Sequence, residues 1–170
     1  MLKIRTILVI CLFCTVQPGH VQSRPWGKLE IQVSEGWSIK QKAGFVQLSN
    51  YNLTNAEPFT ITLFENQSYN GKPDTLFAYA WKRFVTSPPT APEIPKWRRF
   101  YTEEGLLILQ GFAEFTKADA PLYRQLNVIL LPGSFQACML ETSTSKNYRL
   151  LQTEWMERLQ GVKQINTGKK

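Results

Sequence analysis

The chain has 170 residues, 43% of them hydrophobic, with 20 basic against 13 acidic side chains, which bounds it at one ordinary globular domain. A net charge of +7 spread along that length lacks the density of a nucleic-acid-binding surface. One histidine, His20, and three cysteines, Cys11, Cys14 and Cys138, leave few routes to metal or nucleophile chemistry.

The first element is a leader. Lys3 and Arg5 precede an apolar run over residues 7–16, and Pro18-Gly19 and the more polar Val21-Gln22-Ser23 follow. This is the three-part pattern of a cleavable export signal, and Val21 and Ser23 place the cut after Ser23. An apolar run of about ten residues falls short of the roughly twenty that cross a bilayer. Neither Cys11, after Ile10, nor Cys14, after Phe13, has the small preceding residue of a lipoprotein site. The expected layout is a signal peptide at 1–23, one domain at 24–163 and a flexible tail at 164–170. The mature chain is expected to be secreted or periplasmic, monomeric and without an integral membrane segment.

Cleavage changes the chemistry that is left. Lys3 and Arg5 go, so eighteen basic and thirteen acidic residues remain, a net +5. His20, Cys11 and Cys14 go as well, and Cys138 stands alone. A single thiol forms no internal disulfide. Without imidazole, Ser-His-Asp and Cys-His catalysis and histidine-ligated metals are closed off. The expectation is a domain that is not an enzyme, binds no metal and needs no cofactor.

Beyond the leader, Leu29, Ile31 and Val33 alternate with polar residues as a half-buried strand does. Gly36-Trp37 turns the chain into strands over 38–41 and 45–49. Phe59, Ile61 and Leu63 mark another strand over 59–64, rich in β-branched and aromatic residues. The period then changes. Phe77, Ala80, Trp81, Phe84 and Val85 recur at helical spacing, with Asp74 as the expected N-cap and Lys82 and Arg83 in the last turn. Pro88-Pro89 stops this helix, and residues 86–95 read as a surface loop.

Residues 97–102 and 106–116 form an expected hairpin around Glu103-Glu104-Gly105, the second arm presenting Leu107, Leu109, Gly111, Ala113 and Phe115 on one face. Strands over 122–131 and 135–141 follow. Pro132-Gly133 suits a type II turn between them, looser than a tight hairpin. A second helix over 145–160 carries the stripe Tyr148, Leu151, Trp155, Leu159 and Val162, with Glu154 and Arg158 as an i,i+4 pair. An antiparallel sheet covered by the two helical stripes is the layer solution for this order.

Several of these features occur together in a known family. They are the Gly36-Trp37 strand, the strand over 59–64, the helix with Trp81 and a long meander. Then a closing strand over 135–141 runs through Ser143-Thr144-Ser145 into a helix with Trp155 and Leu159. This order resembles the PsbP-like family over most of residues 27–163. The resemblance implies an α+β fold, an antiparallel sheet of about six to seven strands with two helices packed against it as an α/β/α sandwich. It also implies binding and assembly rather than catalysis, without naming a partner or bringing catalytic residues.

The densest basic and aromatic cluster is Lys96-Trp97-Arg98-Arg99-Phe100-Tyr101. Lys96, Trp97, Arg98, Arg99 and Tyr101 are the candidate binding residues, because cations beside stackable rings grip an anionic ligand, a glycan or a single strand. Strand alternation, however, sends Trp97, Arg99 and Tyr101 to one face and Lys96, Arg98 and Phe100 to the other, as in a charged edge strand. Cys138, between Ala137 and Met139, reads as a buried apolar filler. Glu65, Glu114 and Glu141 would need to converge for carboxylate-driven hydrolysis, the alternative activity. Asn52-Leu53-Thr54 and Asn66-Gln67-Ser68 match the glycosylation sequon. The leading expectation is an exported binding or accessory domain contacting an unknown protein or small ligand, not nucleic acid. It should work through its sheet or the loop 86–95, with an exposed apolar patch near Trp26, Trp37 or Trp97.

Overall fold

A computed structural model describes residues 21–34, 36–50, 59–85, 94–117 and 120–165. The expected leader up to residue 20, the first sequon and most of the expected loop 86–95 lie outside the described residues. Among the described residues thirteen elements follow in order: β1 (Val21–Trp26), β2 (Leu29–Ser34), β3 (Ser38–Lys42), β4 (Phe45–Asn50), β5 (Phe59–Phe64), β6 (Gln67–Ser68), α1 (Pro73–Phe84), β7 (Trp97–Tyr101), β8 (Leu107–Lys117), β9 (Ala120–Leu131), β10 (Ser134–Thr142), α2 (Ser145–Gln160) and β11 (Lys163–Gln164).

These strands build two antiparallel sheets. The larger has eight strands, in the order β3-β4-β5-β10-β9-β8-β7 with β6 paired to β10, and the smaller is β1-β2-β11. The sequence-based fold class is therefore corrected. Strands take 56% of the described residues, and the fold is mostly β, not a single sheet of six or seven strands in a two-helix α/β/α sandwich. The physical reason is that β1, β6 and β11 carry no alternation of their own. β1 is five exposed residues before Trp26, and β6 and β11 have two residues each. They are strands only because a neighbour supplies the hydrogen bonds.

Alternation decides what each face of the large sheet buries. Leu109, Leu126, Val128, Phe135 and Ala137 point to one side, where α1 packs Leu76, Phe77, Ala80, Trp81 and Val85 against them. Ile108, Ile129, Cys138, Leu140, Ile61 and Leu63 point to the other, covered jointly by the small sheet and by Trp155 and Leu159 of α2. On the α1 side Gly111 permits close contact. A Cβ there would lie 2.5 Å from the Phe77 ring, so any larger residue would push the helix off the sheet.

One amide ties the turn of the small sheet to β10. Gln136 Nε2 donates to the Trp26 carbonyl at 2.7 Å, and its Oε1 accepts from the Lys28 backbone N–H at 2.9 Å. Trp26 Nε1 donates to the Phe64 carbonyl at 2.8 Å. The β1–β2 turn of Gly27 and Lys28 takes φ +58° at Gly27, where a Cβ would also strike the Gln136 amide. β1 begins at Val21, so the expected cut after Ser23 falls inside it, after three of its six register pairs. At the other end Gln164 pairs with Leu29, and Ile165 donates to the Lys28 carbonyl.

Two local expectations are also corrected. The N-cap of α1 is Lys72, without a side-chain cap bond, because Pro73 opens the helix and moves Asp74 into the first turn. The β9–β10 link is tight: Leu131 pairs directly with Ser134 across Pro132-Gly133, Gly133 taking φ +66°. Nine consecutive register pairs override the splay that a type II turn would impose.

Candidate functional site

A cleft of about 400 Å³ opens where the N-terminal half of α2 passes over the β7–β8 edge of the large sheet. Lys96, Trp97 and Arg98 line it from β7 and the residue before it, Gln110, Gly111 and Phe112 from β8, and Tyr148 and Gln152 from α2. Its volume lies in the range of small-molecule sites.

The floor is ordered by a chain of buried amides. Arg98 Nε donates to Gln110 Oε1 at 2.7 Å, and Gln110 Nε2 donates to Asn127 Oδ1 at 2.7 Å and to the Met156 sulfur at 2.9 Å. Gln125 Nε2 also donates to Asn127 Oδ1, and Tyr148 OH donates to Gln125 Oε1 at 3.0 Å. Gln110, Gln125 and Asn127 are all buried, so each depends on these partners for hydrogen bonding. Burial pushes the Tyr148 phenol up to about 12, opposed by the Arg98 cation nearby. The phenol is therefore neutral at physiological pH and serves as a donor.

The wall is aromatic. Phe112 stands 4.5 Å from Tyr148 and 6.2 Å from Tyr123, ring centre to ring centre, and it keeps 37% of its surface exposed. Among the described residues, no carboxylate lines the cleft. Glu114, two residues past Phe112 on the same face, lies outside the lining.

The candidate binding residues separate as strand alternation requires. Lys96 and Arg98 face the cleft, and Trp97 lines it while packing 5.5 Å from Phe77. Arg99 turns to the α1 side, where it pairs with Asp74 at 2.5 Å and lies 5.1 Å over Trp97. Tyr101 is 62% exposed and away from the cleft. Of the tryptophans expected to centre an apolar patch, Trp26 is in the core, and Trp37 and Trp97 are half-buried. Sequence reasoning missed Gln110, Phe112, Tyr148 and Gln152. Gln110 carried a signal, a polar residue in the run Leu107-Ile108-Leu109-Gln110, but its value depends on which strand and helix lie beside it.

The three acids do not meet. Glu141 is held by Arg124 at 2.6 Å, and Arg124 also donates to the Val85 carbonyl at the end of α1. Glu114 lies on the opposite face of the sheet. Glu65 follows β5, whereas Glu141 pairs with Thr60 at its start, a separation of roughly 17 Å at about 3.4 Å per residue. Among the described residues, no group of three His, Cys, Asp or Glu side chains could hold a metal. Cys138 is fully buried, and desolvation pushes its thiol up to about 12, with Asn127 and Trp155 pulling the other way. The half-buried Asn66 of the second sequon has its Oδ1 shielded and without a hydrogen-bond partner.

No protein-family model matches the chain, and no curated protein matches it in sequence. Solved structures do match its fold. The chain is similar in structure to LpqN. That protein is described as involved in cell envelope biogenesis of Mycobacterium tuberculosis; the TM-score is 0.54 at 10% identity, covering 87% of this chain and 86% of LpqN. The likeness spans nearly the whole of both chains and concerns the fold. Among the described residues, no helix is long and apolar enough to cross a membrane.

Proposed function

We propose that the chain is an exported, non-enzymatic binding domain that serves the cell envelope and takes its ligand in the cleft between α2 and the β7–β8 edge. The carrying observation is the cleft itself: an aromatic wall and two cations over a floor of buried amides. Such a floor holds Arg98 in place before a ligand arrives, which lowers the ordering cost of binding. The separation of Glu65, Glu114 and Glu141 supports contact rather than carboxylate-driven hydrolysis. The leader pattern supports export, and the likeness to LpqN supports an envelope setting. The order of elements from Gly36-Trp37 to the strand-to-helix unit of β10 and α2 supports a PsbP-like origin.

Native mass spectrometry of the protein recovered from its own envelope fraction tests this reading. An adduct retained by the wild type and lost in Phe112→Ala is the expected result. An adduct that survives Phe112→Ala, or turnover of a substrate without any retained ligand, would overturn it.

A further inference from the structure

Resting on that cleft, we infer that its ligand is a small organic anion with a flat apolar body, the anionic group held by Arg98 and Lys96 and the body laid on Phe112 and Tyr148. Arg98 commits its Nε to Gln110, which leaves the Nη1–Nη2 edge of the guanidinium open. No described residue takes that edge, and none pairs with Lys96. A planar pair of donors matches the two oxygens of a carboxylate or sulfonate. The remaining lining is the rings of Trp97, Phe112 and Tyr148, Gly111 and the neutral amides of Gln110 and Gln152, and among the described residues no acid lines the cleft to repel the charge. A neutral apolar molecule would leave the two cations unanswered, and a cation would meet repulsion.

The flat body follows from the wall. Phe112 and Tyr148 lie at 31° to one another with their centres 4.5 Å apart, and the exposed part of Phe112 offers a face for stacking. The position of the charge follows from the floor, because Gln110 is itself fixed by Asn127 and Met156.

Two fluorescent probes separate the parts of this inference. 1-Anilinonaphthalene-8-sulfonate carries an anion on a flat body, and N-phenyl-1-naphthylamine is its neutral counterpart. The folded protein should bind the sulfonate saturably at one site, at least about tenfold tighter than the neutral probe. Arg98→Met should weaken the sulfonate about tenfold and leave the neutral probe unchanged, with Arg98→Lys in between. Phe112→Ala should weaken both, and Ile39→Ser, at an exposed position of β3 outside the cleft, neither. Equal binding of the two probes, both lost in Phe112→Ala, would overturn the anion while the cleft stands. Binding indifferent to both Phe112→Ala and Arg98→Met would remove the cleft as well. Far-UV circular dichroism of each variant confirms that it is folded.

Discussion

The two faces of the large sheet are packed by different chemistries. Under α1 the contacts are apolar and close: Phe77, Trp81, Leu109, Leu126 and Phe135 interlock, and Gly111 lets the Phe77 ring approach the strand. Under α2 and the small sheet, the buried amides Gln110, Gln125, Asn127 and Gln136 stand among the apolar residues. An apolar face is held by shape and tolerates loss of volume poorly. An amide face is held by direction and tolerates loss of a partner poorly. The cleft lies on the second face, where polar groups with fixed orientation are already present.

The largest expected effect tests the first face. Phe77→Ala should cost about 3–5 kcal/mol of stability, since a fully buried ring is replaced by a void. Gly111→Val should cost about 1–3 kcal/mol by the opposite fault, overpacking against the same ring. Both are read by urea unfolding. Losses below about 1 kcal/mol in both variants would mean that this face is not close-packed.

On the second face, Asn127→Leu should cost about 2–4 kcal/mol, because Gln125 Nε2 and one Gln110 donor lose their acceptor in a buried setting. Adding Gln125→Leu should then cost less than the single changes summed, as partners removed together leave fewer orphans. Strict additivity in the double-mutant cycle would show that the amides do not act as a network.

Alkaline pH gives a smaller, graded effect. The Cys138 thiol is raised from 9.0 to about 12 in the folded chain. Below about pH 9 it is protonated folded or unfolded, and stability is unaffected. Between about 9 and 12 only the unfolded chain loses the proton, so stability falls by up to about 1.4 kcal/mol per pH unit. Cys138→Ala should flatten that part of the unfolding profile, and an unchanged slope would contradict the burial of the thiol. The smallest effect belongs to the Arg99–Asp74 pair, with side chains 51% and 69% exposed. Asp74→Asn should cost less than about 1 kcal/mol and still less in high salt, read as a small shift in melting temperature.

Much of this was legible in the residues. β5 (Phe59–Phe64) alternates buried and half-buried positions as its sequence suggests, and the helical stripe of Phe77, Ala80 and Trp81 is buried. The division of Lys96 and Arg98 from Arg99 and Tyr101 follows from strand alternation alone. The cleft was not legible, because its lining comes from β7, β8 and α2, and sequence spacing says nothing about which strand a distant helix crosses. Gln136 shows the same limit. Its burial could be guessed from β10, but its partners, Trp26 and Lys28, are more than a hundred residues away.

By itself the sequence determined where the two helices and the strands other than β1, β6 and β11 lie and which of their side chains share a face, since both depend on repeats of two and of about 3.6 residues. Only the tertiary structure decided the strand order, the separate sheet of β1, β2 and β11, and the placing of α1 and α2 on opposite faces. Those choices are made by long-range pairing and packing, in which a short polar strand such as β11 becomes a strand because β2 is beside it.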